Sequence, residues 1–236
     1  SGLTRAKLEA TWSDAPSDPP PSPLPAGRGG KSLAAPDREP GAQEATRAVT
    51  PLPAGRGAGG VGLPSAPLYD SAKIMAYSNG NPSEAFGEPY KVFDSERVIA
   101  RLPGPPYQFL DCVTAVTGAP FVLKAGASCT ALYAVPPDAW YFGENRCENM
   151  PFSVLLEIAL QPCGWLAAYC GSALTSTDDL RFRNLGGKGT QFRAVTPRTG
   201  TLSTTVKMTN VSTSAGMIIQ HYDLLVENAQ GPIYKG

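Results

Sequence analysis

"WYFGENRCENMPFSVLLEIALQP", Trp140 to Pro162, is followed directly by "CGWLAAYC". From Pro151 onward the run is almost entirely apolar. Val154, Leu155, Leu156, Ile158, Ala159, Leu160, Trp165, Leu166 and Ala167 surround a helix on nearly all sides, so the helix must be buried on most of them. Pro151 suits its first turn, and Pro162 removes one backbone donor and is expected to kink it. Two polar residues interrupt this surface. Glu157 and Gln161 stand four apart and therefore share one helix face. One reading is structural: a buried carboxylate paired with an arginine or with backbone, the amide completing its network. The other is functional: a general acid set in apolar surroundings.

Strand patterns flank the helix. "RLPGPPYQFLDCVTAV" (101–116) is a proline-rich turn entering a first strand, and "FVLKAGASCTALYAV" (121–135) is a second. After the polar loop "SALTSTDD" (172–179) come "LRFRNLGGKGTQFRAV" (180–195), with a glycine-rich middle, and "TLSTTVKMTNV" (201–211). The latter sets Leu202, Val206 and Met208 on one face. "GMIIQHYDLLVEN" (216–228) and a last strand from Gly231 complete the set. Two strands, one long apolar helix and several antiparallel strands make an α+β layout.

Residues 1–72 read differently. They are rich in proline and glycine, lack a sustained period and repeat "PLPAGRG" at 23–29 and 51–57. Such a segment buries too little apolar surface to offset ordering, so a disordered interdomain linker is expected there. Its "GRGGKS" (27–32) imitates the end of a phosphate-binding loop, but Pro25 stands where the first glycine belongs. Residues 73–100 form a lead-in with turn signals at Asn79-Gly80 and Asn81-Pro82, and 101–236 form the main domain. The chain carries 20 basic and 20 acidic residues, which gives no sign of a nucleic-acid partner or membrane insertion. Cys112, Cys129, Cys147, Cys163 and Cys170 form no CxxC pair and read as reduced thiols of a cytoplasmic protein. One histidine and scattered cysteines make no metal site. The chain opens without Met and ends in "GPIYKG", which reads as a fragment truncated within a longer polypeptide.

"LPGPPYQFLD", "VPPDAWYF", the Met150-Pro151 pair, Glu157 and Gln161 resemble the thioester dehydratases of fatty acid synthesis, nearest the FabA-like group. "MAYSNGNPSEAFGEPYKVFD", "LLEIALQPCGWLAAY", "FRNLGG" and "GMIIQHYD" are similar to a dehydratase-region hotdog of a polyunsaturated fatty acid synthase, a multidomain polyketide-type enzyme. The likeness spans roughly residues 74–236. It implies a hotdog fold, a sheet wrapped around the long helix. The implied activity is that of a hydro-lyase: a 3-hydroxyacyl thioester on the phosphopantetheine of an acyl carrier protein loses water to give a 2-enoyl thioester, with no other cofactor.

In that family a histidine removes the C2 proton and a carboxyl seven residues after the Met of Met-Pro protonates the departing hydroxyl; here the carboxyl is Glu157. Gln161 supplies a supporting hydrogen bond. The backbone N–H of Phe152, where the family has glycine, faces the thioester carbonyl. The histidine is missing, because its position is Gly143. His221 lies in a strand where the family places no catalyst, and Glu144 and Glu148 sit in what reads as a solvated loop. Family members pair hotdogs so that one supplies the histidine and the other the carboxyl. The chain therefore reads as the histidine-less half of a double hotdog, paired with a neighbouring hotdog of the same polypeptide or a dimer mate. A non-catalytic scaffold that docks the carrier protein, or a hotdog thioesterase, are the alternatives.

Overall fold

In the computed structural model, residues 66–146 and 148–236 are described. The linker expected over 1–72 lies outside them except for its last residues. Five α-helices are seen among the described residues: α1 (Ser71–Asn79), α2 (Pro82–Phe86), α3 (Val92–Ser95), α4 (Trp140–Gly143) and α5 (Phe152–Tyr169). The strands are β1 (Cys112–Thr117), β2 (Ser128–Ala134), β3 (Thr190–Gln191), β4 (Thr201–Ser214), β5 (Met217–Asn228) and β6 (Gly231–Lys235). They form one antiparallel sheet in the order β1-β2-β4-β5-β6-β3. The protein is α+β, with one long apolar helix packed on strands β2, β4 and β5.

The alternation in β4 holds in the fold. Leu202, Thr204, Val206 and Met208 are all buried on the face that meets α5. Thr204 is the polar member of that row, and Pro162 explains why it is tolerated. Lacking an N–H, Pro162 cannot bond the Ile158 carbonyl one turn back. The Thr204 hydroxyl donates to that carbonyl at 3.4 Å. A buried acceptor that the proline orphans is thus satisfied from the sheet, and α5 runs unbroken through Pro162 to Tyr169. Gly171 ends it at φ 74°, the left-handed conformation glycine adopts without strain.

The lead-in is part of this core. Asp70 caps α1 by accepting the Lys73 N–H, and Tyr69 makes an isolated bridge to Val113 of β1. Ile74, Tyr77, Phe86, Tyr90 and Phe93 are all buried in the cluster that holds Trp165 of α5. The Tyr90 hydroxyl donates to the Ala168 carbonyl, tying the lead-in to the end of α5.

The strand expected over 180–195 is corrected by the fold: only Thr190 and Gln191 pair, with Lys235 and Tyr234 of β6. A ladder needs a residue opposite each position: β6 ends at Lys235, opposite Thr190, so the residues before Thr190 have none on it, and past Phe192, whose N–H still reaches the Ile233 carbonyl, a side chain takes the edge groups. The Arg193 guanidinium donates to the carbonyls of Pro232, at 3.0 Å, and Gly231, and to the side chains of Asn228 and Gln230. The rest of the β6 edge is therefore occupied. Gly189 permits the short pairing, because a Cβ there would lie 2.1 Å from the Tyr234 hydroxyl. Gly189→Ala is expected to destabilise the fold by about 1–3 kcal/mol through this clash, read as a lower midpoint in urea denaturation.

Candidate active site around Glu157

The helix that the sequence marks as apolar nearly all round has one less-covered face. Ser153 is exposed and Leu156, Glu157, Leu160 and Gly164 are half-buried, while Val154, Leu155, Ile158, Ala159, Trp165 and Leu166 are buried. Spacings of three and four place the first group on a single stripe. Glu157 is thus neither sunk in the core nor on an open surface.

Its partners are few. Among the described residues Glu157 forms no ion pair, and its one hydrogen bond is from Gln161 Nε2 to Oε2 at 3.4 Å. The arginine partner that a structural role calls for is absent from this set. Gln161 is itself buried and fully used: Oε1 accepts the Phe109 N–H and Nε2 donates to the Tyr107 carbonyl, both at 2.8 Å. The amide clamps the proline-rich turn before β1 against α5 and sets the Glu157 carboxylate beside that turn. Replacing Gln161 by Leu leaves the Phe109 N–H and the Tyr107 carbonyl without partners. A loss of about 2–4 kcal/mol follows from two orphaned backbone groups, measurable by chemical denaturation.

The clamped turn carries a feature that the linear pattern does not single out. The Tyr107 and Trp140 rings lie 5.5 Å apart and are 50% and 40% exposed, an aromatic pair on the surface next to the Gln161 clamp. Trp140 Nε1 donates to the Pro106 carbonyl at 3.3 Å, which fixes the pair. Its residues belong to "LPGPPYQFLD" and "VPPDAWYF", but only the fold brings the two motifs together. Behind them Tyr133 and Tyr141 share a hydroxyl–hydroxyl bond of 3.1 Å, and burial pushes both phenols above their ordinary range.

Phe152 is the first residue of α5. Pro151 offers no side-chain cap, and the Phe152 N–H has no partner among the described residues; its ring meets Tyr234 at 5.9 Å. Gly143 ends α4 on the surface, and no atom lies within 4 Å of where its Cβ would be. Position 143, where the resemblance expects a histidine, therefore has open space over it. Glu144 and Glu148 are exposed, as expected of a solvated loop. Glu148 lines a cleft of about 380 Å³ with Phe142, Asn149, Thr196, Pro197 and Arg198. His221 is exposed on β5 opposite Asn210, and its side chain makes no hydrogen bond or ion pair among the described residues.

Cys129 and Cys163 are buried thiols; burial holds Cys129 well above the ordinary range and lifts Cys163 to about 12. Cys112 and Cys170 are also unpaired, and Cys147 lies outside the described residues. No cluster of three potential metal ligands occurs among the described residues. By length and composition α5 passes as a membrane span, but two thirds of it is buried inside the fold, as in a core helix.

No family model matches the chain. It is 28% identical over 178 residues to a polyunsaturated fatty acid synthase subunit of a Thraustochytrium species. The match covers 71% of this chain and 12% of that protein, so the chain spans about an eighth of its curated relative. Distant kinship to one portion of a synthase subunit is what this likeness carries.

Proposed function

We propose that the chain is one hotdog of a paired dehydratase module in a polyunsaturated fatty acid or polyketide-type synthase, and that it contributes the acid. The observation that carries this reading is Glu157: a half-buried carboxylate on the less-covered stripe of α5, without a cation partner among the described residues and steered by a buried amide. The sheet order, the long helix lying across it and the relationship to a synthase subunit support the hotdog assignment.

The substrate is a 3-hydroxyacyl thioester held on the phosphopantetheine of an acyl carrier protein, and no other cofactor takes part. A histidine of the neighbouring hotdog, from the same polypeptide or a dimer mate, removes the C2 proton. The electron pair moves into the C2–C3 bond as the C3–O bond breaks, and Glu157 gives its proton to the departing hydroxyl. One water and a 2-enoyl thioester result. The Phe152 N–H, at the positive end of α5, polarises the thioester carbonyl while C2 carries negative charge. Half-buried Leu156 and Leu160 flank Glu157 and line the path of the acyl chain. The setting is a multidomain cytoplasmic enzyme.

Gly143 supports a second reading, a pseudo-dehydratase scaffold that completes the paired sheet and docks the carrier without chemistry. The deciding experiment compares the 236-residue chain alone with the same chain joined to its neighbouring hotdog, on a 3-hydroxyacyl pantetheine thioester. Enoyl thioester from the joined protein and none from the chain alone is the expected result. Enoyl product from the chain alone overturns the division of labour, and free acid in place of enoyl product identifies a thioesterase.

A further inference from the structure

The less-covered stripe of α5 has an end. It runs from Ser153 through Leu156, Glu157 and Leu160 to Gly164 and stops there, because Ala167 and Ala168, the next residues at the same spacing, are buried. Past Glu157 the stripe shows only Leu160 and Gly164, which carry no polar side-chain atom. At Gly164 two side chains close it. The Phe182 ring lies 3.1 Å, and Leu102 Cδ2 3.2 Å, from where a Cβ on Gly164 would be. A glycine inside a helix is destabilising, and here its missing side chain is what lets the ring edge reach the helix. The two closing groups differ. Leu102 is only 4% exposed, whereas Phe182 keeps 44% of its surface open. Phe182 stands on residues 180–189, which join no strand ladder and are tied at this end by the Leu180 N–H to the Val98 carbonyl at 3.1 Å.

With the thioester at the Phe152 N–H and C3 at Glu157, the acyl tail runs on along the helix toward Gly164. The rise from Glu157 to Gly164 is roughly 10 Å, the reach of a medium-length tail and short of a long one. We infer that Phe182 is the end wall of this apolar track and sets the longest acyl tail the site accepts. The substrate class that fits is a 3-hydroxyacyl thioester of medium length. The direction of the tail rests on the dehydratase reading, but the wall itself is measurable by binding without any turnover.

The test measures by calorimetry how the chain joined to its neighbouring hotdog binds S-hexyl, S-octyl, S-decyl, S-dodecyl and S-tetradecyl pantetheine thioethers. In the wild type, affinity rises roughly fourfold for each methylene buried until the tail meets Phe182, and is flat beyond that point. Phe182→Ala moves the break to longer tails, so that the S-tetradecyl probe gains roughly tenfold or more relative to the S-hexyl probe. Phe182→Leu, the milder change in packing, moves the break the same way by less and decides the matter if the alanine variant does not fold. In turnover, Phe182→Ala raises kcat/KM for a 3-hydroxytetradecanoyl pantetheine thioester relative to a 3-hydroxyhexanoyl one. A break at the same tail length in wild type and variants overturns the inference, and so does an affinity that never rises with tail length. Absence of enoyl product from every substrate, with the break still moved by the change at Phe182, counts against the dehydratase reading and leaves the end wall standing.

Discussion

Glu157→Gln, introduced into the chain joined to its neighbouring hotdog, is expected to lower the turnover of a 3-hydroxyacyl pantetheine thioester by about 100- to 10,000-fold, the range for removing a general acid or base. Gln matches the shape of Glu but has no proton of comparable acidity to give the departing hydroxyl. The fold has little invested in the charge itself. Its one partner among the described residues is Gln161, at 3.4 Å, and Gln161 is held independently by the Tyr107 carbonyl and the Phe109 N–H. The melting temperature should therefore move by no more than a degree or two, the size of shift that follows from a few tenths of a kcal/mol. Loss of kcat with unchanged KM and unchanged melting marks an interaction made in the transition state. Unchanged kcat removes Glu157 from the chemistry and leaves the scaffold reading standing.

Trp165→Ala is expected to cost about 3–5 kcal/mol, as for other large aromatic truncations in a core, and to bring the chain close to unfolding at ordinary temperature. Trp165 is fully buried and stands between two parts of the molecule. It stacks on Tyr169 at 5.4 Å, meets Tyr69 edge-on at 4.9 Å and contacts Phe86 at 6.1 Å. Its truncation opens a cavity between the lead-in and α5. The indole Nε1 is buried without a hydrogen-bond partner among the described residues, so part of the native burial is already unfavourable. Trp165→Phe removes that orphan donor while keeping most of the ring, and should be the milder change. Equilibrium denaturation of both variants checks the pair. Similar losses for Phe and Ala would show that ring shape, and not the polar edge, dominates at this position.

The lead-in shows where a linear reading runs short. "MAYSNGNPSEAFGEPYKVFD" carries obvious turn signals, yet nothing in its local pattern says that Tyr77, Phe86, Tyr90 and Phe93 belong to the same core as α5. The segment at 180–195 shows the opposite error. Its composition permits a strand, but a ladder needs a neighbour: β6 ends at Lys235, opposite Thr190, and at its other end the Arg193 fork takes the Pro232 and Gly231 carbonyls. At the site, the i, i+4 spacing is enough to place Glu157 and Gln161 on one face, and the fold joins them by a hydrogen bond. The clamp on the proline-rich turn and the Tyr107–Trp140 pair lie beyond such a reading, because they join positions 33 to 54 residues apart.

By itself the sequence determined the elements with strong periodicity: the apolar helix from Pro151, the alternating row through Leu202, Val206 and Met208, and the absence of a histidine near the Met-Pro pair. Those follow from local repeats, which the backbone geometry of helix and strand translates directly into faces. Tertiary structure alone decided that one stripe of that helix stays less covered, that Glu157 has no cation partner among the described residues, and that Thr204 takes the carbonyl orphaned by Pro162. These depend on which distant groups meet, and burial and pairing are set by that meeting, not by the residues that carry the charge.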